Sequence, residues 1–143
     1  MTDEATVQPV IVVDDHDWLL ESLIEKYVGI GVGMGITLNV KGLLVTGTLC
    51  TSQEYLKGVS ELIGAANKDD ELTQAMAGAF GAYTAVYEKP EGAGEDWVPP
   101  RIGYVHLKNA KILTPGQKAM PNDPIWWRGR LSSIDGFFIG TLS

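Results

Sequence analysis

Carboxylates near the N-terminus are the residues best suited to chemistry in this sequence. Asp14, Asp15 and Asp17 lie just after the apolar run 9–13, PVIVV. Carboxylates gathered at the end of a strand can hold Mg²⁺, which would be the starting point of an enzyme. Asp14 or Asp15 could instead cap the next helix and complement its dipole, because Asp is favoured at helix N-termini. The sequence favours the cap.

The segment 9–16 resembles the first strand and acidic pair of a response-regulator receiver domain, in which the acids hold magnesium. That family carries a phosphoacceptor Asp at the end of its third strand, and residues 45–55 contain no Asp. Lys89 and Pro90 match the late Lys-Pro of the family, but this match does not replace the acceptor. A receiver-like magnesium-binding domain is therefore the weakest alternative.

Histidine and cysteine add little further chemistry. The chain has two histidines, His16 and His106, and one cysteine, Cys50. Two histidines give weak support to a metal site, and no convincing Ser-His-Asp set can be built from them. Alternation predicts His106 on the polar side of a strand, at the surface. Cys50, at the end of a strand, is expected to be a small buried hydrophobe, with a reactive thiol as the alternative. We expect no catalytic residue, no metal and no cofactor, and hence a protein that is not an enzyme.

The segment 29–35, GIGVGMG, has glycine at every second position. A glycine-rich loop could bind phosphate, but such loops join a strand to the N-terminus of a following helix. Here the predicted order is helix, glycines, strand. We therefore interpret the segment as a helix end followed by a pliant link.

The element that must organise the chain is the segment 36–49. Apolar residues alternate with polar or small ones on either side of Lys41-Gly42, which predicts a β-hairpin with Gly42 in its turn. A hairpin alone cannot bury one face, so other strands must join it. The candidates are 104–114 and 125–142, and they are expected to pair with this hairpin across the residues between.

Two local features are predicted within these late strands. Asn109-Ala110 interrupts the alternation of the first one and indicates a bulge or turn. Asp135-Gly136 divides the second one and predicts a hairpin turn.

Three helices are indicated by apolar residues at three- and four-residue spacing, over 17–28, from Ser52 onward, and from Leu72 onward. Ser52 can cap the second helix, and Thr51 with Glu54 has the spacing of a capping box. The third helix carries a stripe that we interpret as core or partner interface rather than a cofactor site: Leu72, Met76, Ala79, Phe80, Tyr83 and Tyr87.

Length and composition fit one domain over 1–143, long enough to bury about two thirds of its unfolded surface. Residues 1–8 are predicted to be flexible, and 88–100 and 115–124 to be loops rich in Pro and Gly. The fold class expected is α+β. It comprises a strongly bent antiparallel sheet or partial barrel, an inserted helical segment and an N-terminal helix.

Charge and hydropathy exclude some partners. The formal net charge is −7, whereas surfaces that neutralise nucleic-acid phosphates are usually basic. No apolar run reaches the roughly 18 residues of a membrane span, and acids stand where a signal peptide would carry Lys or Arg. We expect a cytoplasmic protein without nucleic-acid or membrane partners.

Three separated blocks, 36–62, 104–112 and 126–140, are similar to the gas vesicle accessory protein U family. The resemblance implies a non-enzymatic accessory or regulatory protein. Such a protein would act through contacts with gas vesicle shell or other accessory proteins, in vesicle assembly or clustering. The family register lies at Thr37, Leu38, Asn39, Val40, Gly42, Gly47, Thr48, Leu49, Glu54 and Tyr55, and again at His106, Leu107, Ala110, Trp127, Arg128, Gly129, Ser132, Asp135 and Gly136.

A second, weaker resemblance is to the Sm-like RNA-binding barrel. It rests on Lys41-Gly42 before Val45-x-Gly47-x-Leu49, with a later Leu-x-Asn-Ala and an Arg-Gly before the last strand. The helical insertion and the acidic charge fit ring-shaped RNA binding poorly. A nucleic-acid-binding module is therefore the alternative function.

Four residues are candidates for partner contacts: Trp97 in the loop 88–100, and Trp126, Arg128 and Arg130 near the C-terminus. Arg128 and Arg130 share one side of a regular strand, so they could grip an acidic partner surface. Balancing local acids is the alternative role for this pair. The apolar stripe and the open edges of the sheet suggest a homo-oligomer, most simply a dimer.

Overall fold

The computed structural model describes residues 15–143, so the interpretations of 1–8 and of Asp14 lie outside the described part of the chain. Within these residues, one helix and two strands precede a central helical hairpin, and three strands follow it. The elements are α1 (Trp18–Lys26), β1 (Met34–Val40), β2 (Leu43–Cys50), α2 (Ser52–Ala66), α3 (Glu71–Ala82), β3 (Tyr104–Leu113), β4 (Met120–Arg130) and β5 (Gly136–Ile139), with 3₁₀ turns at Val28–Ile30, Tyr83–Tyr87 and Leu131–Ser133.

The predicted β1–β2 hairpin is confirmed, with Leu38 opposite Val45 in its register. Lys41 and Gly42 both have positive φ, 54° and 89°, as the tight turn requires. The Gly42 N–H donates to Asn39 Oδ1 at 2.8 Å. The turn therefore depends on a residue without a Cβ and on a local side-chain acceptor.

All five strands form one antiparallel sheet in the order β4-β3-β2-β1-β5. The late strands flank the early hairpin on both sides, since β3 pairs with β2 and β5 pairs with β1. The α+β class with an N-terminal helix is thereby confirmed. The helical hairpin formed by α2 and α3 lies between β2 and β3 in the chain.

The predicted hairpin at Asp135-Gly136 is wrong. β4 and β5 lie at opposite edges of the sheet, and the Asp-Gly pair ends the link between them. Asp135 instead fixes the β1–β2 turn: its N–H donates to the Asn39 carbonyl at 2.8 Å, and its carboxylate accepts from the Lys41 N–H at 2.9 Å. An Asp-Gly turn signal marks a change of direction but does not say which strands will pair.

The link from β4 to β5 requires the sheet to bend. In a flat five-stranded sheet the edge strands are separated by four spacings of about 4.8 Å, roughly 19 Å. A link with one short 3₁₀ turn and otherwise extended residues spans roughly 16 Å between Arg130 and Gly136. The sheet therefore curls so that its edges approach each other, although β4 and β5 form no pairing within residues 15–143.

The core lies on the inner face of the sheet, where α1 packs. Its largest side chains are almost fully buried, and burying each Leu or Ile contributes about 1.5–3 kcal/mol. The members are Leu20, Ile24 and Val28 from the α1 region, Ile36, Leu38, Val45, Leu49, Val105, Leu107 and Ala110 from the strands, and Leu131 and Ile134 from the link between the edges.

The C-terminal residues cover the opposite, outer face of β1 and β2. Thr37 Oγ1 donates to the Gly140 carbonyl at 2.8 Å, and the Leu142 N–H donates to Thr46 Oγ1 at 2.9 Å. Thr37 and Thr46 are consequently buried although they occupy the polar parity of their strands. Their hydroxyls are satisfied by these bonds and by one another at 3.0 Å.

The cap of α1 differs from the prediction. Asp17, rather than Asp15, is the N-cap residue, since its carboxylate accepts from the Leu19 N–H at 2.8 Å. Asp15 contacts His16 instead. Asp17 immediately precedes the first helical residue, and that position decides which of several neighbouring acids forms the cap.

The bulge in β3 is confirmed: Asn109 has φ 53° and the pairing register shifts between Leu107 and Ala110. The predicted loop 115–124 is partly wrong, because β4 already begins at Met120. Pro121 and Pro124 lack the N–H that a strand donates to its neighbour, which is why this stretch has the composition of a loop. β4 is an edge strand, however, and an edge tolerates residues that cannot donate to a neighbour.

The helical hairpin is held together by small residues. Ser60 Oγ donates to the Ala77 carbonyl at 2.6 Å, and Gly64 and Gly81 lie close to the partner helix.

Thr51, rather than Ser52, caps α2 by accepting from the Glu54 N–H at 3.0 Å. No helix within the described residues is long and apolar enough to cross a membrane.

Candidate functional site

The environment of His106 corrects the surface position that alternation predicted. Only 4% of this residue is exposed. The Tyr55 ring from α2 lies 4.8 Å from the imidazole, and Ser52 Oγ lies 3.4 Å from Nδ1. Burial and, as a smaller cause, the positive charge of Arg128 together lower the pKa of His106 to about 4. The two-residue alternation correctly places His106 on the outer face of the sheet. α2 covers that face here, so the residue is buried.

The carboxylates near α1 form ion pairs with neighbouring side chains. His16 lies 2.6 Å from Asp15 and 2.8 Å from Glu21, and Arg101 lies 3.2 Å from Glu21. The hydrogen bond with Glu21 raises the pKa of His16, and the hydrogen bond from Arg101 lowers the pKa of Glu21. This network ties the start of α1 to the segment before β3. No group of three or more His, Cys, Asp or Glu in residues 15–143 is arranged to hold a metal ion.

Cys50 is a buried hydrophobe, as predicted. It is 3% exposed at the end of β2, and burial raises the pKa of its thiol to about 12. A thiol of this kind is a poor nucleophile near neutral pH, because the thiolate is the reactive form.

An exposed apolar surface runs along α3 and the 3₁₀ turn after it. One face of α3 packs on α2 through Ala77, while side chains on the other face are exposed within residues 15–143. Leu72, for example, is 80% exposed. We call this surface the α3 stripe, and its members are Leu72, Met76, Ala79, Tyr83 and Val86, at a spacing of four and three residues.

The composition of this region is unusual for an exposed helix. Residues 72–87 contain no charged side chain. An exposed helix face is normally polar or charged, and a contiguous apolar patch on a soluble domain marks an interaction surface. The sequence leaves core and partner interface as alternatives for this region. In the structure, every member of the stripe except the small Ala79 is among the exposed large apolar residues. Phe80 and Tyr87, which the sequence included in the stripe, are half-buried instead.

Three of the four predicted contact residues lie together on the outer face of β4. Arg128 and Arg130 are exposed, and the Arg128 guanidinium lies 3.8 Å from the centroid of the Tyr104 ring. No carboxylate in residues 15–143 forms an ion pair with either arginine. The interpretation that this pair balances local acids therefore has no support from the described residues.

Trp126 has a structural contact that the sequence did not show. Its ring is half-buried and stands edge-on to Tyr55 of α2, with the ring centres 6.3 Å apart. A Cβ on Gly58 would lie 2.0 Å from the ring, so Gly58 is what lets α2 approach β4. Trp126 thus joins the helical hairpin to the sheet.

Trp97 lies in the segment between α3 and β3, outside the strand that carries the other three residues. It is half-buried, and its N–H donates to the Gly94 carbonyl at 3.2 Å. The structure therefore groups Trp126, Arg128 and Arg130 on one strand and places Trp97 in a separate loop.

A cleft of about 530 Å³ lies between α1, the start of α2 and the segment 98–102. Its walls are largely apolar, with Ile24, Val28 and Val98 among them, and Arg101 contributes to its lining. No sequence motif indicates this cleft, because its walls come from separate segments of the chain, with Tyr87 contributing as well.

The comparisons with known proteins identify the family. The model of the family described as "Gas vesicle protein GvpU-like" matches residues 17–142, which is most of the chain and includes every element from α1 to β5. The searches of curated proteins and of solved structures returned no match. The resemblance to the gas vesicle accessory protein U family is thereby confirmed, and the chain belongs to the gas vesicle protein GvpU-like family.

Proposed function

We propose that this protein is a non-enzymatic gas vesicle accessory protein that acts in the cytoplasm by binding a vesicle shell or accessory protein, in vesicle assembly or clustering. Membership of the GvpU-like family supports a role with gas vesicles. The mode of action is our inference from the surface of the chain.

The observation that carries this proposal is the α3 stripe. α3 contacts α2, and the remaining face of α3 and its 3₁₀ turn is apolar, uncharged and exposed. It extends over about 21 Å, since the fourteen steps from Leu72 to Val86 rise about 1.5 Å each. Exposed apolar side chains at this spacing favour a partner that offers an apolar helix or groove, since docking removes both surfaces from water. The absence of charge from 72 to 87 favours the same kind of partner.

Co-flotation with purified gas vesicles tests the proposal. The wild-type chain is expected to float with the vesicles, and the double variant Leu72→Gln, Met76→Gln is expected to lose at least about tenfold in affinity. The matched control is Ile30→Gln, Val98→Gln, which changes two apolar residues that are 76% and 74% exposed outside the stripe. The control should bind like wild type.

Two results would count against the proposal. If wild type neither floats with vesicles nor changes vesicle clustering in cells, the accessory role is removed. If the stripe variant and the control bind equally, the α3 stripe is not the contact surface. Light scattering of wild type and stripe variant shows whether the stripe joins two copies of the chain, which would replace the vesicle partner by a homodimer.

A further inference from the structure

The open edge of β4 carries a defined set of backbone groups. The Leu131 N–H donates to the Gly103 carbonyl at 2.9 Å, and in the pairing of β3 with β4 the next residue, Arg130, lies opposite Tyr104. Backbone groups alternate between the two sides of an antiparallel strand. Counting back from Leu131, residues 129 and 127 face β3. The N–H and C=O groups of Trp126, Arg128 and Arg130 therefore point away from the sheet.

No strand pairs with this side of β4 in the part of the chain that the structure describes. Pro121 and Pro124 interrupt the donor pattern near the start of the strand, so the usable stretch is 125–130. We call this stretch the β4 edge. An unpaired edge with free donors and acceptors is a template for an additional strand.

The side chains of the β4 edge add a charge preference. Arg128 and Arg130 lie on the same face, about 7 Å apart as alternate strand residues are. The Tyr104 ring holds the Arg128 guanidinium in place at 3.8 Å. The cations Lys108 and Arg101 are paired with Glu54 and Glu21. Arg128 and Arg130 are exposed without a carboxylate partner in residues 15–143, in a chain whose net charge is −7.

We propose that the β4 edge accepts an extended acidic segment of a partner protein as a sixth strand. Its backbone pairs with Trp126, Arg128 and Arg130, and two carboxylates at alternate positions bind the two guanidinium groups. Alternate residues of an added strand have the same spacing as the arginines, so both charge pairs can form together. This inference rests on the proposed function and specifies the chemistry of its partner.

Charge selects an acidic segment over a second copy of this chain. Two β4 edges pairing with each other would bring arginines close to arginines, which is unfavourable. The other open edge, β5, is Gly136–Ile139 and contains no acid to meet the guanidinium groups. Asp135, just before it, already accepts the Lys41 N–H.

Peptide binding to the full chain tests the charge part. The probe is a fluorescent eight-residue peptide of alternating Thr and Glu, compared by anisotropy with the same peptide carrying Gln for Glu. The Glu peptide is expected to bind more tightly, with an affinity that falls as salt is added. The double variant Arg128→Gln, Arg130→Gln should lose about tenfold or more. The control Lys41→Gln, Lys118→Gln removes the same amount of positive charge at two exposed lysines outside the β4 edge, and it should bind like wild type.

A proline substitution tests the strand part. Arg130 has φ −72°, which proline can adopt, and its N–H is predicted to face outward. Arg130→Pro should therefore bind the Glu peptide several-fold more weakly than Arg130→Ala, while both keep the wild-type circular dichroism spectrum. Equal binding by these two variants overturns strand addition. Equal binding of Glu and Gln peptides, or equal loss in the arginine variant and its lysine control, overturns the acidic preference.

Further measurements separate this inference from the proposed function and from self-association. If wild type binds the Glu peptide but does not float with vesicles, the β4 edge inference stands and the vesicle role fails. If Arg128→Gln, Arg130→Gln floats like wild type, the vesicle role stands and the edge is not its contact. A change of oligomeric state in the arginine variant, measured by sedimentation equilibrium, would assign the edge to a second copy and overturn the acidic partner.

Discussion

The buried imidazole of His106 gives the folded protein a pH-dependent stability of defined sign. Burial lowers its pKa from 6.5 to about 4, so between these values the unfolded chain holds a proton that the folded chain does not. Stability is then lost as pH falls. With these two pKa values, this one group should lower the free energy of unfolding by about 2 kcal/mol between pH 7 and pH 5.

Urea unfolding followed by tryptophan fluorescence measures this effect. Wild type and His106→Gln are compared at pH 7 and pH 5, because carboxylates titrate in both chains and cancel in the difference. The loss on acidification should be larger in wild type by about 2 kcal/mol. Equal losses in the two chains would refute the reasoning, since they would show that the imidazole is not kept neutral by its surroundings.

His16 provides a control of opposite sign, as the other histidine in the chain. The hydrogen bond with Glu21 raises the pKa of His16, so its stabilising effect is present at low pH and is lost as pH rises through the folded value. The difference in stability between wild type and His16→Gln should be larger at pH 6 than at pH 8. The same trend for both histidines would contradict their opposite environments.

Three further changes test the packing of α2, its cap and the buried thiol. Gly58→Ala should cost about 1–3 kcal/mol, because the added Cβ would lie 2.0 Å from the Trp126 ring, whereas Gly78→Ala, with nothing within 4 Å, should gain about 1 kcal/mol of stability in urea unfolding. Equal effects would contradict the close approach of α2 to β4. Thr51→Ala should cost about 1 kcal/mol in the same assay through loss of the cap, and no change would contradict the cap. Cys50 should react with a thiol reagent at pH 8 only on unfolding, since it is 3% exposed and its pKa is about 12; rapid native labelling would contradict its burial.

The elements that the sequence predicted well are those specified by local signals. Alternation around Lys41-Gly42 identified the central hairpin, and the break at Asn109 identified the bulge, because turn geometry and pleat are properties of neighbouring residues. Contacts between residues far apart in the chain could be predicted less well. The sequence predicts a hairpin turn at Asp135, because the residues that Asp135 binds, Asn39 and Lys41, lie about ninety-five residues earlier in the chain and give no local signal.

Exposure was the other property that local patterns did not determine. His106 and Thr46 have the polar parity of an outer face, yet α2 and the C-terminal residues cover them. Conversely, Leu72 and Met76 have the pattern of a buried helix face and are exposed. The candidate contact residues Arg128 and Arg130 were identified by type and spacing. Their position on an open sheet edge depends on the order of the strands, which no local pattern specifies.

Site-specific photo-crosslinking on intact gas vesicles tests the central claim most directly, which is that the exposed face of α3 contacts a vesicle protein. A photoreactive residue is placed at Leu72 and, as a control, at Ile30, which is 76% exposed elsewhere on the surface. We expect a single crosslinked product between the Leu72 probe and a shell or accessory protein, and little product from the Ile30 probe. Absence of a product at Leu72, or equal products at both positions, would contradict the account.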